Sequence, residues 1–165
     1  MRFRDPAAAE AGGYVLAVAS VLVTAGLVFH PMPAQGFEER PSVLAGTPWW
    51  GAIHVAIAVG FVLCALGALL LLVGGGPGAR RWTRALFWGS MAIGMVYFTG
   101  VALLNGWVMH ELAAAGAEAR LVYDTMNDLL IGFGWLGNPL FLFGLTGVAI
   151  EQLRYRDVSM PRALA

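Results

Sequence analysis

The sequence predicts an all-α integral membrane protein: a four-helix up-down bundle with its N- and C-termini cytoplasmic. Three observations carry that prediction. Of 165 residues, 59% are hydrophobic and only 12% are charged, far from the composition of a soluble globular domain. The apolar residues gather into four stretches free of Asp, Glu and Arg, with cores over 14–29, 49–73, 85–109 and 129–150, each close to the ~20 residues that a helix needs to cross hydrocarbon. The basic residues, all arginine, segregate onto alternate connections, as the positive-inside rule requires of cytoplasmic segments. Single apolar strands would leave backbone polar groups unsatisfied in lipid, so the stretches read as helices.

The first span covers residues 13–30, with the charge-free core Tyr14 to Phe29. Its flank Met1-Arg2-Phe3-Arg4 is basic like that of a signal peptide, but His30-Pro31-Met32-Pro33-Ala34 offers no small-x-small cleavage site, and the span reads as a retained helix. Arg2 and the C-terminus fit no lipidation signal. The outer loop 31–48 holds four prolines and two glycines and is expected to lack regular structure. The second span, 49–73, ends at the helix stop Gly74-Gly75-Gly76-Pro77-Gly78, which opens a cytoplasmic turn over 74–83. The third span is 84–109. An outer, partly helical connection follows over 110–126, where Arg120 and Asp124 stand one turn apart as opposite charges on one helical face. The fourth helix is expected to begin near Ala117 and to span the membrane over 127–151. Within it Pro139, after Asn138, removes a backbone donor at mid-span and is expected to bend the helix, so these two count as structural residues. The whole chain, 1–165, forms one transmembrane domain.

Arg2, Arg4, Arg80, Arg81, Arg84, Arg154, Arg156 and Arg162, eight of the ten arginines, fall on one side and set both termini inside. The other side collects Glu38, Glu39, Glu111, Glu118, Asp124 and Asp128 against Arg40 and Arg120, an acidic outer surface. Trp49, Trp50 and Trp107 at outer helix ends, with Tyr14 and Trp82 at inner ones, fit interfacial aromatic belts. A net charge of zero gives nucleic acid nothing to bind. The expected partners are membrane lipids and other membrane subunits or further copies of the chain. Small residues, among them Gly60, Gly67, Gly89, Gly94 and Gly100, suit close helix contacts within the spans.

Chemistry has few footholds. Cys64, the single cysteine, lies in an apolar run and reads as an inert thiol. No GxSxG, HExxH, P-loop or dinucleotide fingerprint occurs, so the chain reads as non-enzymatic. The three histidines, however, fall at one depth on three helices: His30 closing the first, His54 one turn inside the second, His110 ending the third. Asp128 joins that layer. Imidazoles with a carboxylate can ligate a transition metal, giving a metal set of His54 and His110 with His30 or Asp128. A b-type haem would instead take His54 and His110 as its two axial ligands, with Gly51 and Gly106 one turn away leaving room for the ring. Polar residues at membrane depth face a bundle interior, which points three stripes inward. They are Asp124, Asp128, Ile131, Trp135, Asn138 and Leu142 on the fourth helix; Val96, Thr99, Leu103, Trp107 and His110 on the third; and Trp50, His54, Ile57 or Ala58, and Phe61 on the second. Asn105 lies on another face, with no partner evident. The functional expectation is a non-catalytic accessory, assembly or stabilising component of a membrane complex in a bacterial or archaeal plasma membrane. Its rival is an outer-face haem or metal protein built on the histidine layer.

Overall fold

The computed structural model describes residues 5–30, 40–74 and 81–155. Arg2, Arg4, Arg80, Arg156, Arg162, the acidic pair Glu38 and Glu39, and the glycine turn 75–78 lie outside the described residues. Among those described, every regular element is helical: α1 (Pro6–Val28), α2 (Arg40–Ala45), α3 (Trp50–Gly74), α4 (Arg81–Leu103) running through a π-helical turn (Leu104–Val108) into α5 (Met109–Ala114), a 3₁₀ turn (Gly116–Ala119) and α6 (Arg120–Tyr155). Among the described residues, four helices are long and apolar enough to cross a membrane: α1, α3, the continuous run from α4 through α5, and α6 with the 3₁₀ turn before it.

Local chemistry sets the helix ends. Asp5 caps α1, its carboxylate accepting from the Ala8 amide at 3.1 Å, with Pro6 preset at the first helical position. This cap starts α1 well ahead of its hydrocarbon core. Gly116, at φ +69°, takes the left-handed turn that separates α5 from the 3₁₀ segment. The Arg120–Asp124 pair expected from the spacing forms at 3.0 Å. Both side chains are largely solvated, so it adds little stability.

Two expectations need correction. The outer connection is not wholly irregular: α2 forms within it, ends at Gly46 with Pro48 just beyond, and packs on α5. Its Leu44 is fully buried in a cluster with Trp50, Met109, Tyr123 and Leu130. Hydrophobic anchoring at Leu44 outweighs the proline content. Secondly, two of the three stripes expected inside face outward. On α6, Asp124, Asp128, Ile131, Trp135, Asn138 and Leu142 are all exposed, and on the third span so are Val96, Leu103 and Trp107. The stripe of the second span is placed as expected, with Trp50, His54, Ile57 and Ala58 buried.

The reason for the reversal on α6 is that close approach, rather than polarity, selects the packing face. Gly137 and Gly94 meet across α4 and α6, and the position of a Cβ on Gly144 would fall 2.5 Å from the Met91 amide and 2.6 Å from the Phe87 carbonyl. Glycine recesses likewise bring α1 onto α3, where Gly12 meets Gly67 and Gly26 receives Ile57. Of the small residues expected at contacts, Gly60, Gly67 and Gly94 are at helix interfaces, whereas Gly89 looks onto open space.

The packing is serial. α1 lies on α3, α3 on α4 and α4 on α6, whereas among the described residues α1 and α6 share no extensive contact. The spanning helices therefore form an open row whose middle members, α3 and α4, are the better buried.

Candidate functional site

The polar residues that the fold brings together sit where α3 meets the π turn. Within α3, Trp50 and His54 share a face at i, i+4 spacing, and the His54 ring Nδ1 lies 2.9 Å from the Trp50 carbonyl oxygen. A carbonyl can only accept, so Nδ1 carries the proton and Nε2 presents a lone pair. Asn105 fills that acceptor, its side-chain amide donating to Nε2 at 3.0 Å. The circuit then closes: the Trp50 indole N–H donates to the Asn105 backbone carbonyl at 2.8 Å. Trp50, His54 and Asn105 are all buried, and of these three mutually dependent hydrogen bonds the two made by Asn105 clasp α3 to the third span.

The π turn makes this possible. The Met109 amide reaches back five residues to the Leu104 carbonyl, where an α-helix would have bonded it to Asn105. The Asn105 carbonyl thus loses its usual donor, and the indole of Trp50 replaces it. The widened turn also rotates Asn105 and Gly106 inward, where both are buried. Gly106 is required there, because a Cβ on it would stand 2.4 Å from the His54 Cβ.

His30 joins the cluster by ring packing, 4.7 Å from the Trp50 ring centroid and 5.0 Å from that of His54. Convergence of His30 and His54 at one depth was legible in the sequence. His110 lies beyond the π turn, half-buried, its Nε2 enclosed with no hydrogen-bond partner among the described residues. Asp128 is exposed on the outward face of α6. Among the described residues no three His, Cys, Asp or Glu side chains are grouped to hold a metal ion, so the set His30, His54, His110 and Asp128 does not assemble. The haem geometry meets a further obstacle: the recess at Gly106, expected to admit the macrocycle, is filled by His54 itself, and Gly51 faces the Gly106 carbonyl at 3.5 Å. To ligate anything, His54 would have to surrender its bond to Asn105.

Two residues of the clasp, Trp50 and Asn105, stood outside the expected site. The Trp50–His54 spacing was readable, but Asn105 could be paired only by knowing of the π turn, which leaves no mark in composition.

A second polar group occurs at the opposite end. The Thr83 hydroxyl donates to the Glu151 carboxylate at 2.7 Å, tying α4 to α6, and Glu151 is buried. Beside Thr83 in the chain, Arg84 is 7% exposed and its Nε has no partner among the described residues. The sequence placed Arg84 with the solvated positive-inside arginines, whereas its side chain lies within the packing. No family model, curated protein or solved structure matches this chain.

Proposed function

We infer that this protein is a non-catalytic component of a membrane complex, residing in a bacterial or archaeal plasma membrane and acting by packing against other membrane helices. The observation that carries this reading is the open row: its two terminal helices leave long apolar faces uncovered, including Val18 and Val21 on α1 and Leu136 and Leu142 on α6. The best-formed polar cluster supports the same reading, since His54 spends both ring nitrogens on internal bonds. The test is solubilisation from native membranes in mild detergent, with a photo-crosslinker at Val21. A defined adduct and migration well above the monomer are expected; a monomer without adducts, or a Soret band in the purified protein, overturns the reading.

The orientation belongs to the same proposal. The four spans cross alternately, with both termini inside, supported by the eight arginines on one side and by the order of contacts in which Gly12 meets Gly67 and Gly26 meets Ile57. A reporter active only outside the cell is expected to work when inserted within residues 35–42 or 113–118 and to fail at Gly76 or after Arg156. The opposite pattern would invert the topology.

A further inference from the structure

Asn138 stands halfway along the α6 span. It is close to midway in sequence between Tyr123, which packs with Met109 and Trp50 at one end, and Glu151, which bonds to Thr83 at the other. At 1.5 Å of rise per residue this is roughly 20 Å from either level, the centre of a bilayer. Its neighbour Gly137 meets α4, and one residue turns a helix by about 100°, so Asn138 faces sideways, out of the row. It is exposed. Three hydroxyls in the helices satisfy themselves locally: Ser20 donates to the Leu16 carbonyl, Thr99 to Met95 and Thr125 to Leu121. The Asn138 amide makes no hydrogen bond to any described residue. Pro139 adds to the imbalance, because the Trp135 carbonyl loses the N–H that an α-helix would supply from residue 139.

Hydrocarbon cannot satisfy two donors and an acceptor, and leaving them bare costs several kcal/mol. A polar group at this depth is therefore covered by protein. The surface around it is shaped for a helix: Gly134, one turn before Asn138, has nothing within 4 Å of the position of a Cβ, and Ile131, Leu142 and Leu145 flank the pair as exposed apolar residues. Glycine weakens a helix by up to about 1 kcal/mol against alanine. The other glycines of α6 that face α4 offset that by admitting its backbone; Gly134 has no such neighbour among the described residues.

We propose that this face of α6 is the interface with a second copy of the chain, the two α6 helices crossing at Gly134 and their Asn138 amides bonding to each other at the bilayer centre. A second copy is the occupant because the amide is its own complement: each carries both donor and acceptor, and a two-fold axis along the membrane normal brings identical residues at identical depth face to face. The proposal rests on the reading of this protein as a component of an assembly, and specifies one of its contacts.

The experiment uses the full chain with Cys64→Ala, reconstituted in bilayers. Leu142→Cys and Ile131→Cys are expected to form disulfide-linked dimers on mild oxidation, while Val18→Cys, exposed on α1, is not. Asn138→Val should weaken association roughly 3- to 30-fold, the range for an interhelical polar bond in lipid, with Asn138→Gln restoring most of it and Gly134→Leu abolishing it. Thermal unfolding of each variant as a monomer in detergent separates loss of association from loss of fold. A dimer indifferent to Asn138→Val and Gly134→Leu, or one linked through Val18→Cys, overturns the proposal. So does a chain that stays monomeric in bilayers; if Val21 still crosslinks to a different polypeptide in native membranes, the assembly reading survives and only the second copy is lost.

Discussion

Replacing Trp50 with alanine is expected to destabilise the fold by about 3–5 kcal/mol, the range for removing a buried aromatic side chain. The residue is 1% exposed and packs with Leu44, Met109 and Tyr123, so truncation opens a cavity where α2, α3 and α5 meet. It also strips the donor from the Asn105 carbonyl, whose normal helical partner has already been taken by Leu104. Trp50→Phe separates the two contributions: it retains most of the ring volume and leaves the carbonyl bare, a cost of about 1–3 kcal/mol for an unsatisfied buried acceptor. Reversible unfolding in mixed micelles, followed by tryptophan fluorescence of the remaining indoles, measures both. A Trp50→Ala protein within 1 kcal/mol of wild type would mean that the clasp does not hold α3 to the third span.

Gly144→Leu should cost about 3 kcal/mol or more, at the upper end of overpacking. The atoms that a Cβ would meet are the Met91 amide and the Phe87 carbonyl, which are backbone and cannot swing away as a flexible side chain can. α4 and α6 must therefore separate, and the Thr83–Glu151 bond at the same interface is expected to open with them. Gly132→Ala is the internal control. Nothing lies within 4 Å of its Cβ position, and its expected effect is between zero and a gain of about 1 kcal/mol from helix propensity. Equal losses for the two substitutions would show that glycine acts on α6 through the helix backbone and not through the contact with α4.

The sequence made the spanning helices legible because the lack of charge over ~20 residues is dictated by hydrocarbon itself, whatever the helices pack against. The Trp50–His54 face of α3 was also legible, since α3 keeps regular α periodicity throughout. The corresponding step on the third span failed at one identifiable place. Counting back from His110 through Trp107, Leu103, Thr99 and Val96 crosses Leu104–Val108, where the helix widens, and a single extra residue in a turn displaces the phase by about 100°. The wrong face was selected, and Asn105 was set aside. On α6 the error was of a different kind: polarity and glycine pointed to different faces, and the glycines Gly137, Gly144 and Gly147 formed the contact. Asn138 was read as an interior residue and is an exterior one. α2 escaped notice because six residues are too few for periodicity to register, and Leu44 declares itself only through what it buries.

The serial order of packing also bears on how such a chain is made. Each spanning helix after the first rests on the one synthesised just before it, so α3 can dock on α1 as it leaves the insertion machinery, α4 on α3, and α6 on α4, with no helix waiting for a later one to close a ring. Assembly can keep pace with translation, which reaches ~5–20 residues per second. α6 emerges after α1, α3 and α4, so a nascent chain presents the Asn138 amide only when the helices that support α6 are already in place.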